Sequence, residues 1–196
     1  LFSSVDTASG DRYGVVGREV VGIEDVPGGF SALYEVLRGM EEAGQVRRGW
    51  FVAGLGGAQF AVPGAVDRLR GWRDEPAEAV VMAGTDPALA WGAAAPWPAR
   101  SGEPPSPRRE SGARVALVDG APVLALGKGG RSLHVFPVAR DPEALGAATQ
   151  ALRRALLRER RGAVVVARVD GGPVEASPWR DALVAAGFAL EGVGLR

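Results

Sequence analysis

The chain has 196 residues, of which 46% are hydrophobic, enough to bury the core of one large domain or two small ones. Twenty-three basic residues balance 23 acidic ones, so total charge argues against a free-standing nucleic-acid binder and leaves room only for a local patch. Cysteine is absent, which excludes disulfides and thiolate metal sites, and the single histidine, His134, excludes a His-rich metal cluster.

Residues 11–72 form a first unit. In DRYGVVGREVVGIED, Val16, Val20 and Ile23 recur at helical spacing beside Val21. VPGG interrupts that pattern, and Phe30, Leu33, Tyr34, Leu37 and Met40 then trace the apolar stripe of an amphipathic helix. Gly44 is placed to stop it. VRRGWFVAG and AQFAVP predict two strands around LGG, and AVDRLRGW predicts a short closing helix. Helix, turn, helix, hairpin is the order of a winged helix, whose second helix enters the major groove while the hairpin, or wing, touches the flanking backbone. The first helix of such a domain is expected before Tyr13, in DTASGD, which is poor helix material.

A second unit starts near Glu75. AEAVVMAG predicts a buried strand, and TDPALAWGAAAPWP a loop anchored by Trp91 and Trp97. Pro, Ser, Gly and charge over residues 100–112 predict a flexible surface insertion. ARVALVDGAPVLALGKGGRSLHVF predicts a three-strand meander. DPEALGAATQALRRALLRERRG predicts a helix opened by Asp141-Pro142, with Leu145, Leu152 and Leu156 inward. AVVVARVDGGPVEA predicts a hairpin, SPWRDALVAAGF a helix capped by Ser177, and ALEGVGLR a last edge strand. The expected class is α+β: a winged helix-turn-helix domain over residues 1–72, then a mixed, mainly antiparallel β-barrel-like domain with flanking helices over residues 73–196.

Each candidate motif has an ordinary alternative. Arg47 and Arg48 at the base of the wing are placed to grip phosphates, or to solvate a hairpin in an arginine-rich chain. Arg18 and Ser31 open the two helices where that mode faces DNA. Tyr34 lies there too, but also on the apolar stripe, which favours the core. Trp50 and Phe51 point to opposite faces of a strand, so one is free to stack on an unpaired base or to pack against a neighbour. Gln59 is placed to hydrogen-bond DNA or to close the hairpin. GKGGRS lacks the spacing of a phosphate loop and has strands on both sides, so a turn is expected and no nucleotide-hydrolysis machinery is visible. Arg153, Arg154, Arg158, Arg160 and Arg161 suit a helix C-terminus, with a nucleic-acid stripe as the second option. His134 is expected to be packed, with no nucleophile paired to it. Asp86, Asp119 and Asp170 fall in turns.

No apolar run approaches the about 20 residues of a membrane span, and LFSSVDTASGD is not a signal peptide. The absence of cysteine fits a reducing cytoplasm. Leu1 in place of a starting Met suggests a piece of something longer, or a chain with parts missing.

From Tyr13 onward, YGVVGREVV, VPGGFSALYEVLRGMEEAGQVRRGWFVAGLGGAQFAVPGAVDRLR, DPALAWG with PWP, LVDGAPVLALGKGGRSL, and VDGGPVEASPW with AAGF and GLR resemble the extreme C-terminal region of the large helicase-related family of bacterial DNA helicases. The resemblance implies a very long superfamily 2 enzyme that uses ATP to move 3′ to 5′ along single-stranded DNA and unwind duplexes, RNA:DNA hybrids included. ATP and Mg would be held by N-terminal domains outside this chain. The C-terminal extension would be similar to tandem winged-helix DNA glycosylases that repair crosslinks, ending in a winged helix and a β-barrel module, with uracil excision and oligomer formation associated with some members. Implied partners are single-stranded or forked DNA, the upstream domains and a second copy, in a bacterial cytoplasm at the nucleoid. DNA contacts would fall to Arg18, Ser31, Arg47, Arg48, Trp50 and Gln59. The chain departs from the family before Tyr13, at Gly17 where a Thr cap is usual, and at residues 100–112. Gln59-Phe60-Ala61 lacks the second polar residue of the glycosylase Q-x-Q motif, so no catalytic residue is assigned.

Overall fold

The computed structural model describes residues 13–71, 79–159, 164–192 and 194–195. Contacts divide the chain into two units, Leu1–Asp74 with Ala93–Pro96, and Glu75–Gly92 with Trp97–Arg196.

In the first unit a three-stranded antiparallel sheet has the order β1 (Val15–Val16), β3 (Gln59–Ala61), β2 (Arg47–Gly49). Three helices accompany it: α1 (Arg18–Ile23), α2 (Gly29–Glu42) and α3 (Pro63–Gly71). The helical spacing from Val16 does not hold. Val16 pairs with Phe60 on β1, and the extended backbone of Gly17, at φ −138°, delays the helix to Arg18. Ile23 is consequently exposed, whereas Val20 and Val21 are buried. The helix expected before Tyr13 lies outside the described residues.

The α2 stripe does hold. Leu33 and Leu37 are buried with Val16, Val21, Val26, Val46 and Phe60, and Phe30, Tyr34 and Met40 pack half-buried at the edge. The helix ends at Gly44, which takes φ +72°. There the Gln45 N–H donates to the Met40 carbonyl at 2.8 Å and the Gly44 N–H to Glu41 at 2.9 Å, the paired bonds of a Schellman stop.

The second unit is one six-stranded sheet: β4 (Ala79–Ala83), β5 (Arg114–Val118), β6 (Ala121–Leu126), β7 (Ser132–Val135), β8 (Arg168–Val169) and β9 (Gly172–Pro173), paired in chain order. Asp119-Gly120, both at positive φ, make the tight β5–β6 turn. Every pair is antiparallel except β7–β8, which is parallel because α4 (Pro142–Arg158) crosses over between them. Asp141 caps α4, its carboxylate accepting from the Glu143 N–H at 3.0 Å. Alternation along β5 sends Ala116 and Val118 to the core that holds Leu145 and Leu152 of α4, while Val115 and Leu117 face Leu89, Phe136, Trp91 and Trp97. Trp97 stacks on Phe136 at 5.4 Å, and a Cβ at Gly92 would lie 2.4 Å from its Nε1, so only glycine fits.

The barrel-like closure expected from the sequence is not seen. Among the described residues β4 and β9 do not pair, and the ladder stops at Pro173, which has no N–H to continue it. The terminal segment is not an edge strand of this sheet. It forms a separate hairpin, β10 (Leu190–Glu191) with β11 (Gly194–Leu195), joined by a bridge from Leu195 to Val166. Helix α5 (Arg180–Ala185) starts later than predicted, with the Ser177 hydroxyl accepting from the Trp179 N–H at 3.2 Å. Residues 100–112, expected to be a flexible insertion, are irregular but tied at both ends. The Arg109 guanidinium donates to the carbonyls of Leu89, Trp91 and Asp86, and Arg100 is anchored beneath the segment's other end.

Candidate nucleic-acid interface

The wing is β2, β3 and the loop between them, and Gln59 organises it. Its side chain is fully buried. Oε1 accepts from the N–H groups of Phe51 and Val52 at 2.9 and 2.8 Å, and Nε2 donates to the carbonyls of Val52 and Leu55 at 3.0 and 3.2 Å. A loop too short of regular pairing to satisfy its own backbone is thus held by one amide. Gln59 therefore cannot meet DNA: it is inaccessible and both ends of its amide are engaged. Of the two roles open in the sequence, closing the hairpin is the one its geometry performs.

The two arginines separate. Arg48 lies opposite Phe60, on the side of α2, where Nη1 donates to the Tyr34 hydroxyl at 3.1 Å and Nε approaches Glu41 at 3.5 Å. Tyr34 stands in an aromatic row between Phe30 and Phe60, with centroids 6.0 and 5.8 Å away. Arg48 is thus partly neutralised and bound to the helix, though half-exposed. Arg47 opposes Ala61 on the other face, is exposed, and has no ion pair or hydrogen bond among the described residues. Trp50 follows at 84% exposure, against half-burial for Phe51, whose ring lies 3.0 Å from where a Cβ on Gly49 would be. An indole left this open is a large apolar surface facing water.

Arg18 is exposed at the start of α1, and Ser31 is exposed in the first turn of α2. No hydrogen bond or ion pair among the described residues ties either to the wing. Further along α2 the exposed face turns acidic: Arg38 is held between Glu35 at 3.7 Å and Glu42 at 3.3 Å, and Glu41 faces Arg48. Between Tyr13 and Gly71, six arginines meet seven carboxylates. On α2, contact with an anion would therefore fall to its uncharged first turn.

The second unit contains a polar cluster that sequence reasoning missed. Arg100, with its side chain only 6% exposed, donates from Nη1 to Asp170 at 2.6 Å and from Nη2 to the carbonyls of Pro105 at 2.6 Å and Pro104 at 3.3 Å. The same Nη1 lies 3.2 Å from His134 Nδ1, so that nitrogen is the acceptor and the ring proton sits on Nε2. Burial, then the Arg100 charge, hold the His134 pKa below its ordinary value, with Asp170 opposing. Arg100 and Asp170 line an open cleft of about 800 Å³. Its charges cancel internally, and its evident work is to hold residues 100–105 against the sheet. The one early signal was Asp170-Gly171, a turn pair whose carboxylate also accepts from the Val135 N–H. GKGGRS forms the β6–β7 turn, with Gly129 and Gly130 at positive φ.

Residues 9–81 match the family model described as "Large helicase-related protein, winged-helix domain". Over 198 residues the chain is 46% identical to the "Lhr helicase/ probable uracil glycosylase" of Mycolicibacterium smegmatis, covering 94% of this chain and 13% of that protein. The chain belongs to the large helicase-related family. A second relative, the "Lhr helicase/uracil glycosylase" of Escherichia coli, is 37% identical over 193 residues, 94% of this chain and 12% of that protein. The chain thus spans about an eighth of the length of these relatives and corresponds to the C-terminal region of the family's helicases. Among the described residues no helix is long and apolar enough to cross a membrane.

Proposed function

We propose that this region is the DNA-engaging, non-ATPase end of a large helicase-related enzyme, and that the wing makes the contact. The observation that carries the reading is Trp50, 84% exposed three residues beyond Arg47, which has no partner among the described residues, on a wing whose loop is braced by Gln59. An exposed indole and an exposed guanidinium on one wing suit an unstacked base and a phosphate of the same strand, and such stacking is worth about 1–3 kcal/mol per base. Unpaired bases occur in single-stranded and forked DNA, which are therefore the proposed ligands. Movement 3′ to 5′, unwinding of RNA:DNA hybrids, a role in repair and a place at the nucleoid in the cytoplasm are proposed for the whole protein from the family resemblance. Its ATP and Mg would be held elsewhere, since GKGGRS is a hairpin turn and not a phosphate loop. The glycosylase named for both relatives is proposed to use this region for grip, with no catalytic residue assigned here.

A second reading has its own support. The carboxylates Glu35, Glu41 and Glu42 on α2 would repel a phosphate backbone, and that face suits instead a protein contact, with the upstream domains or a second copy. Fluorescence anisotropy with single-stranded and forked DNA across a salt series, on the wild-type chain and on Arg47→Ala/Trp50→Ala, separates the two. Salt-sensitive binding that the variant weakens tenfold or more supports the wing contact. Unaltered DNA binding, with the variant no longer forming oligomers in sedimentation, would move the wing to assembly.

A further inference from the structure

The cations of the second unit are unevenly neutralised. Arg100, Arg109, Arg114 and Arg180 all have acceptors. Arg108, Lys128, Arg131, Arg158 and Arg168, like Arg140, Arg153 and Arg154, are exposed and have neither ion pair nor hydrogen bond from their side chains among the described residues. Arg108, Lys128, Arg131, Arg158 and Arg168, far apart in sequence, converge on one end of the sheet.

Pairing places them there. Arg114 opens β5 opposite Leu126 at the end of β6, and its Nε reaches Glu159 at 2.7 Å, which fixes the C-terminus of α4, and so Arg158, at that end. The β6–β7 turn follows directly on Leu126 and carries Lys128 and Arg131. Ser132 is the partner of Arg168 on β8, and the Arg131 carbonyl accepts from the N–H groups of both Ala167 and Arg168 at 2.9 and 3.0 Å. Arg108 lines, with Gly127 and Ser132, a cavity of about 190 Å³ at the same place. Glu110 is the one carboxylate lining that cavity among the described residues, and Glu159 nearby is engaged by Arg114.

Five gathered, unpaired cations repel one another and attract an anion carrying regularly spaced charges. Three of the five, Lys128, Arg131 and Arg168, are on or beside a tight turn or a strand start, where the backbone adds no bulk. At Gly129 an added Cβ would meet nothing within 4 Å, so a ligand backbone has open access. Guanidinium forks match phosphate oxygens in pairs. We propose that this end of the sheet is a second nucleic-acid contact, distinct from the wing, which holds the phosphodiester backbone of a single strand without reading its bases. It stands on the second unit alone and does not require the wing contact.

The test is binding of a fluorescent oligothymidylate to the whole chain across a salt series, with Lys128→Gln/Arg131→Gln/Arg168→Gln beside wild type. Removing one cation that neutralises a phosphate of a single strand reduces the slope of log affinity against log salt by about 0.7. The triple variant should therefore have a slope shallower by about 2, with roughly hundredfold weaker binding at 0.1 M salt and convergence toward 1 M. Arg140→Gln, which removes an exposed cation just before the N-terminus of α4 and so at its opposite end, should leave the slope unchanged. Arg131→Lys/Arg168→Lys, which keeps the charge, should retain most of the wild-type slope. A wild-type slope in the Gln triple, a slope reduced by about 0.7 in Arg140→Gln, or no binding by the wild-type chain would each overturn the proposal. If Arg47→Ala/Trp50→Ala alone abolishes binding while the Gln triple binds as wild type, the wing contact stands and this one falls.

Discussion

Gln59 and Trp50 lie at the two extremes of exposure within one hairpin, and each explains the other. Replacing Gln59 by Leu leaves two N–H groups and two carbonyls of the wing loop without their partner. The expected cost is about 2–3 kcal/mol, less than the sum of the separate bonds because the loop can shift and take up water. Urea unfolding followed by tryptophan emission measures it, and a cost below about 0.5 kcal/mol would mean that the loop does not depend on this amide. His134 makes a pH prediction. Its pKa in the folded state lies below 6.5, so the folded protein keeps it neutral where the unfolded chain protonates. The unfolded state then binds more protons as pH falls, and stability is full above 6.5 and declines below it. Most carboxylates titrate lower, near about pH 4, which leaves the interval from about 7.5 to 5.5 to this one side chain. Wild type should lose stability across that interval and His134→Gln should not; parallel curves would remove His134 as the source.

Helix α2 shows at the level of an element how position decides what a glycine does. Gly39 is in the helix, exposed, and has nothing within 4 Å of an added Cβ. Gly44 has equally open space but sits at φ +72° in the helix stop. Gly39→Ala should therefore stabilise the protein by about 0.5–1 kcal/mol through helix propensity and a less free unfolded chain. Gly44→Ala should destabilise it by about 1 kcal/mol through the left-handed backbone alone. Thermal melts of the two single variants should move in opposite directions, and two shifts of the same sign would contradict this account. The sequence periodicity made α2 legible and misled at Val16, because two β-branched residues before an extended glycine satisfy a strand as readily as the first turn of a helix. The meander was legible from its Asp-Gly turn. Closure of the sheet was not, since it depends on whether the ends of separate strands meet, and here Pro173 ends the ladder.

For the molecule as a whole, neutrality and DNA engagement are compatible if the cations are local. A chain with 23 charges of each sign generates little long-range attraction. Association with single-stranded DNA is expected to lack steering, with a rate constant of about 10⁵–10⁷ M⁻¹s⁻¹. Raising salt from about 50 to 200 mM should then act mainly on dissociation, as phosphate contacts exchange with ions. Stopped-flow association and chase experiments separate the two rates, and an association rate that falls more than tenfold over this range would show long-range steering after all.

The amino-acid sequence by itself determined the helix α2 and its glycine stop, the turns, the exclusion of disulfides and the resemblance to the helicase family. These depend on residues within a few positions of one another, or on composition. Only the tertiary structure decided that Gln59 braces the wing instead of reaching outward, and that Arg48 is held by α2 while Arg47 is not. It also decided that Arg100 is buried against Asp170, 70 positions away, and that five cations with no partner among the described residues share one end of a sheet. Burial and charge pairing are settled by which distant segments meet, and a side chain's identity does not say which neighbour will take its charge or its hydrogen bonds.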